Sequence, residues 1–206
     1  MRVYGHRGSA ATHPENTVAG VVAAFDGGAD GVEVDVRRTP EGLLVLSHDP
    51  LADGVTYTPL SDVLDAARGR VIVEVKNLPG EPDFDAPTEE TARLLIALLA
   101  SRAGDDVVVS SFDWFAIERA RDAGLRTAFL APPGIALSAA LAYVAEADHT
   151  ECHPHWTSVL ATPEAVAGTV VCWTVDDPDV ARRLRDAGVA GVIVNDPAAM
   201  VLELGS

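Results

Sequence analysis

Eight short runs rich in β-branched residues, at 2–6, 31–37, 71–76, 106–111, 126–131, 148–153, 170–175 and 190–194, alternate with Ala- and Leu-rich stretches along the whole chain. Such alternation leaves few folds open, because each parallel strand needs a crossover to reach the next and a helix usually supplies it. The punctuation between units also repeats. Phe25-Asp26-Gly27-Gly28, Asp122-Ala123-Gly124 and Asp186-Ala187-Gly188 each close a helical stretch on glycine just before a strand. Prolines at 14, 59, 87, 163, 178 and 197 stand near helix starts, where a missing N–H costs nothing. Eight strand–helix units predict an α/β fold, a compact (β/α)8 TIM barrel, and 206 residues lies at the small end for it. The doubly wound open sheet is the rival, but the first strand runs into Gly5-His6-Arg7-Gly8, which is no dinucleotide fingerprint. The length suits a single domain over 1–206. Residues 31–48 read as a long second strand that folds back through Pro40-Glu41-Gly42 into Leu43-Leu44-Val45-Leu46.

The polar residues of a barrel's chemistry stand at the carboxyl ends of its strands. The first strand ends at His6-Arg7. Along the second, Val32, Val34 and Val36 alternate with Glu33, Asp35 and Arg37, so the valines can face the helices while two carboxylates face the barrel mouth. The third repeats the pattern, with Val71, Val73 and Val75 outward and Ile72, Glu74 and Lys76 inward. Glu33, Asp35 and Glu74 on neighbouring strands would repel one another unless a positive group lay between them. A hard divalent cation answers this, and an all-oxygen set suits Mg²⁺ or Ca²⁺ better than zinc. The bland alternative is pairing with Lys76 or Arg37. His6 and His48, both at strand ends beside the acids, have the ionisation range that general acid and base roles require.

The chain carries 31 acidic and 15 basic residues, a formal charge of −16 that repels nucleic acid and anionic lipid surfaces. No apolar run has signal-peptide or membrane-spanning length, so a soluble, cytoplasmic protein without stable membrane insertion is expected. Cys152 and Cys172 read as buried strand residues.

Together these residues resemble the glycerophosphodiester phosphodiesterase family. The segments that carry the resemblance are His6-Arg7-Gly8, Pro14-Glu15-Asn16-Thr17, Glu33-Val34-Asp35, His48-Asp49 and Glu74-Val75-Lys76, with weaker echoes in Ser110-Ser111-Phe112, Trp173-Thr174-Val175 and Gly191-Val192-Ile193 before Asp196-Pro197. It implies a barrel enzyme, a phosphoric diester hydrolase, with a small-molecule glycerophosphodiester substrate and one divalent cation, Mg²⁺ or Ca²⁺. Glu33, Asp35 and Glu74 would bind the metal, His6 and His48 would act as acid and base, and Arg7 and Lys76 would hold the phosphate. Trp173 is expected to stack on the substrate's alcohol, and Glu15 to be either a residue that supports the site from behind or, the favoured reading, only a first-turn helix acid. Two departures stand out. Pro50 to Thr58 is a brief loop where many members carry an insertion, and Asp176 and Asn195 stand where the family tends to have Asn and Asp.

Three functions remain open at this point: hydrolysis of a glycerophosphodiester to glycerol 3-phosphate and an alcohol, action on a lysophospholipid or sphingolipid at the same metal site, or a catalytically silent binding barrel. His149, Glu151 and His153 share a strand face near His155 and raise the question of a second metal site, although one pocket-facing residue among core and surface neighbours is the expected outcome.

Overall fold

The computed structural model describes residues 1–102 and 104–205. In chain order its strands are β1 (Arg2–His6), β2 (Gly31–Arg38), β3 (Leu44–Leu46), β4 (Arg70–Val75), β5 (Val107–Ser111), β6 (Thr127–Ala131), β7 (Glu151–Pro154), β8 (Val171–Cys172) and β9 (Gly191–Val194). The helices are α1 (Val18–Asp26), α2 (Leu60–Ala66), α3 (Glu90–Ala100), α4 (Trp114–Asp122), α5 (Leu137–Glu146), α6 (Trp156–Ala161), α7 (Pro178–Asp186) and α8 (Pro197–Gly205). Eight strands run parallel in the order β7-β6-β5-β4-β2-β1-β9-β8, and isolated parallel bridges Cys152–Val170 and His155–Trp173 join the two ends into a nearly closed barrel. The expected fold is present. β3 returns antiparallel along β2, pairing Val36 with Leu46 and Arg38 with Leu44, as the hairpin reading required.

Local chemistry sets the element ends. Thr17 caps α1 by accepting from the Gly20 amide, Asp113 caps α4 through Phe115, and Asp177 caps α7 through Asp179. Gly28, Gly124 and Gly188 follow α1, α4 and α7 with positive φ, so the repeated glycine punctuation marks left-handed helix exits.

Side-chain parity separates two apolar layers. Val32, Val34, Val36, Val71, Val73 and Val75 pack outward against the helices. Tyr4, Ile72, Val108, Ala128, Val171 and Ile193 fill the lumen. Below the mouth, Arg70 pairs with Glu151 at 2.8 Å, and Glu151 in turn lies 3.0 Å from His153 Nε2.

Two strand boundaries differ from the sequence reading by more than one residue. β7 starts at Glu151, not 148, because Ala147 ends α5 and Asp148 takes φ 56 to turn the chain out of the helix. An aspartate in a left-handed exit gives no glycine signal. β8 is laddered only at Val171 and Cys172, both to β9, while Trp173 bridges across to His155. Among the described residues, no helix is long and apolar enough to cross a membrane.

Candidate active site

At the end of β1 the chain reverses so tightly that a Cβ on Gly5 would lie 1.9 Å from the Gly8 carbonyl oxygen. Arg7 takes φ 50 within this turn, and its amide is thereby aimed at Glu33 Oε2, 3.1 Å away. The next loop folds back over β2. Asn16, also at positive φ and buried, donates from Nδ2 to Asp35 Oδ2 at 2.9 Å and accepts from the Asp35 amide at 3.1 Å.

Register completes the cluster. His6 lies beside Glu33 in the β1–β2 pairing, and Asp35 beside Glu74 in the β2–β4 pairing. Lys76, just past β4, spans Glu74 Oε1 at 2.7 Å and Asp35 Oδ1 at 3.1 Å. Arg7 Nε lies 3.2 Å from Asp35 Oδ2. All seven residues expected from sequence meet here. His6, Arg7, Glu33, His48, Glu74 and Lys76 form the polar side of a cavity of about 90 Å³, and Phe112, Leu130, Trp173 and Ile193 form its apolar side. Trp173 is oriented by a hydrogen bond from its Nε1 to the His153 carbonyl at 2.8 Å, and its ring meets Phe112 edge-on at 5.6 Å.

The electrostatics are those of acids crowded out of water. Burial, reinforced by Asp35 and Glu74, pushes the Glu33 carboxyl well above its ordinary value. Burial also raises Glu74, to about 7, although Lys76 opposes the shift. Burial acts upward on Asp35 too, but Lys76, Asn16 and Arg7 overcome it and hold that carboxyl low. One oxygen from each acid can lie within 4.8 Å of the others, and Glu33 Oε1 is buried with no hydrogen-bond partner. Three buried carboxyls, one of them with an unmet oxygen, fit a hard divalent cation.

The two histidines differ in setting. Burial lowers His6, opposed by its contact with Asn195. His48 is more exposed, with Nδ1 2.8 Å from Asp49 Oδ1, and its carbonyl accepts from Arg37 Nη2 at 2.7 Å.

Several expectations need correction. Of the two basic neighbours in the bland alternative, Lys76 does pair with Asp35 and Glu74, whereas Arg37 does not; fully buried, it binds Glu81 at 2.9 Å and Asp83 at 2.8 Å and so ties down the loop after β4. Glu15 precedes α1 instead of lying in its first turn, and it pairs with Arg7 Nη1 at 2.8 Å. His149 leaves the β7 face and contacts Thr127 and Tyr143, while His155 caps α6. Among the described residues, Glu33, Asp35 and Glu74 are the cluster with metal-binding geometry; the β7 histidines form none. Nothing in the local sequence marks Asn16 and Asn195 as contacts of Asp35 and His6. Their partners lie 19 and 189 residues away, beyond any local pattern.

The model of the glycerophosphoryl diester phosphodiesterase family matches residues 6–90 and 58–199. A glycerophosphodiester phosphodiesterase of Caldanaerobacter subterraneus is 29% identical over 97% of this chain and 96% of its own. Among solved structures, an Oleispira antarctica phosphodiesterase in complex with the product sn-glycerol-3-phosphate superposes with a TM-score of 0.84 at 21% identity, covering 100% of this chain and 97% of that one. The glycerophosphodiester phosphodiesterase of Thermotoga maritima gives 0.81 at 22% identity, covering 98% and 97%.

Proposed function

The chain belongs to the glycerophosphoryl diester phosphodiesterase family of phosphoric diester hydrolases, and we propose that it cleaves a glycerophosphodiester to glycerol 3-phosphate and an alcohol through His6 and His48. The observation that carries this reading is the buried Glu33–Asp35–Glu74 cluster, with its unmet Glu33 oxygen, two of whose members, Glu33 and Glu74, line one cavity with both histidines. We read residues 1–206 as one such domain.

Glu33, Asp35 and Glu74 would hold one Mg²⁺ or Ca²⁺, which supplies positive charge to a phosphoryl oxygen. Arg7 and Lys76 hold the remaining phosphate oxygens and offset charge that gathers on them in the transition state. His6, kept neutral by burial, takes the proton of the attacking hydroxyl, from water or the substrate's own 2-hydroxyl. A new oxygen–phosphorus bond forms as the bond to the alcohol breaks, and His48 gives a proton to the departing alkoxide; where the 2-hydroxyl attacks, the product is a cyclic phosphate, which water then opens to glycerol 3-phosphate as one ring oxygen leaves and is protonated. Trp173 and Phe112 bound the alcohol's side of the cavity.

A second reading is favoured by one feature. On the far side of Phe112, Leu78, Pro79, Phe84, Ala86, Trp114 and Phe115 line an apolar groove of about 240 Å³. It suits a substrate whose glycerol carries an apolar acyl chain, as in a lysophospholipid.

Glycerophosphocholine, glycerophosphoethanolamine and lysophosphatidylcholine are to be assayed with and without divalent cation, beside His6→Ala and Glu33→Ala. Cation-dependent release of glycerol 3-phosphate from the first two supports the primary reading, and preference for the third supports the second. Full activity in both variants would overturn the site assignment.

A further inference from the structure

The His6 ring is held by a polar relay that leads outward to the surface. Its Nδ1 lies 2.7 Å from Asn195 Oδ1. The Asn195 side-chain amide donates to Asp176 Oδ2 at 2.6 Å, and the Asn195 backbone N–H donates to Asp176 Oδ1 at 2.8 Å. A carboxylate only accepts, so both of its oxygens are met by donors of one residue. That leaves one orientation for the Asn195 carboxamide, nitrogen toward Asp176 and oxygen toward His6. The amide oxygen carries no proton, so the hydrogen in the contact with His6 sits on Nδ1. The lone pair of the neutral ring is then on Nε2, the nitrogen on the Glu33 side, 3.9 Å from Oε2.

We propose that Asp176 is a positioning residue which, by fixing the Asn195 carboxamide, holds neutral His6 in its Nδ1–H form with Nε2 bare toward the reacting oxygen. This rests on the reading of His6 as the proton acceptor. Neither Asp176 nor Asn195 lines the cavity, so both act through His6.

The relay predicts an unusual ranking of variants. Asp176 is exposed, so after Asp176→Ala water can take over as acceptor and Asn195 keeps its orientation. Asp176→Asn has nearly the same shape but only one acceptor oxygen. All donors are met only if that oxygen takes the Asn195 backbone N–H and the Asn195 side chain turns over, presenting its NH₂ to His6. The ring then has to expose a lone pair at Nδ1 and carry its proton on Nε2. The conservative variant is thus the more damaging one. Exchanging the pair, Asp176→Asn with Asn195→Asp, restores an acceptor opposite Nδ1.

The test is two-bond nitrogen–proton NMR correlation of the histidine rings at a pH where His6 is neutral, together with steady-state kinetics. The wild type is expected in the Nδ1–H form. Asp176→Asn is expected in the Nε2–H form, with kcat reduced about a hundredfold and KM nearly unchanged, within the span that general base catalysis supplies. Asp176→Ala keeps the Nδ1–H form and loses less, and the exchange variant regains that form and most of kcat. An Nε2–H ring in the wild type overturns the proposal even if no variant folds. It is also overturned if Asp176→Asn leaves tautomer and kcat unaltered, or if the exchange variant stays as slow as the single one. His6→Ala separates the two claims. Full activity there removes the proton-acceptor reading, whereas an inactive His6→Ala beside an unaltered Asp176→Asn removes only the relay.

Discussion

Arg7 meets Glu33 through its backbone and not through its guanidinium: the Arg7 amide donates to Glu33 Oε2 at 3.1 Å, while the side chain turns to Glu15 and Asp35. The left-handed φ of 50 makes this possible and separates two duties within one residue. Glycine adopts that conformation freely. Arg7→Gly is therefore expected to keep the amide contact and the fold while losing the phosphate-directed cation. It should lower kcat/KM by about 10- to 100-fold, the worth of a charged hydrogen bond, with KM carrying most of the change. Arg7→Ala, which keeps the Cβ strain that the wild-type arginine already bears at this φ, should show the same kinetic loss and melt below Arg7→Gly.

Lys76 is the internal counter-ion of Asp35 and Glu74, and it is itself buried. Lys76→Met leaves those two acids facing each other without it. Removing one partner from a buried charged set costs about 3–5 kcal/mol, and a urea titration of the cation-free protein should find a loss of that order. Adding Mg²⁺ or Ca²⁺ should narrow the gap to wild type.

The contribution of Glu74 to the stability of the cation-free protein should fall as pH rises. Its folded value is raised from 4.5 to about 7, and Glu33 is raised as well. An acid with a raised folded value stabilises fully below its unfolded value and loses that contribution as pH climbs through the folded one. Asp35, held low, has the opposite sign, but its contribution fades only toward acid, below this window. His6, His149 and His155, lowered by burial, act in the opposite sense across this window and Glu89, also raised to about 7, acts in the same one, so the measure is a difference: between about pH 5 and about pH 8 without cation, wild type should lose more urea stability than Glu74→Gln. With saturating divalent cation the trend should flatten or reverse, since bound carboxylates have released their protons.

Tyr4 closes the lower lumen and dictates its neighbours. A Cβ on Gly191 would lie 2.7 Å from the Tyr4 ring, and one on Gly31 would lie 2.4 Å from the Arg70 carbonyl oxygen as well as 2.9 Å from that ring. Overpacking costs about 1–3 kcal/mol, and Gly191→Ala should fall in that range by thermal melting. Gly31→Ala should cost more, because backbone cannot rotate away. Combining Gly191→Ala with Tyr4→Leu should cost less than the two separate losses added together.

The barrel and its acids were legible because strand parity is a local rule: Val32-Glu33-Val34-Asp35-Val36 already divides helix-facing from lumen-facing positions. His6, Glu33, Asp35 and Glu74 came from that rule together with the family resemblance. Asn16, Asn195 and Asp176 were visible as residues but not as contacts, since their partners are brought near only when the strands close the barrel. Arg37 shows the opposite failure. Parity aimed it inward correctly, yet Glu81 and Asp83, on a loop that no periodicity describes, claim its charge. The start of β7 is hidden in the sequence for a conformational reason: the left-handed Asp148 does what glycine does after α1, α4 and α7.

Where β7 and β8 meet, the wall is joined by two single bridges in place of a ladder, and each of these strands carries a buried free cysteine, Cys152 and Cys172. Burial pushes both thiols up, Cys152 to about 12, so neither is a ready nucleophile while the wall is shut. The molecule thus contains its own alarm wire at its weakest stave. A thiol reagent that reacts before global unfolding would time the parting of this one joint while the rest of the cask still holds.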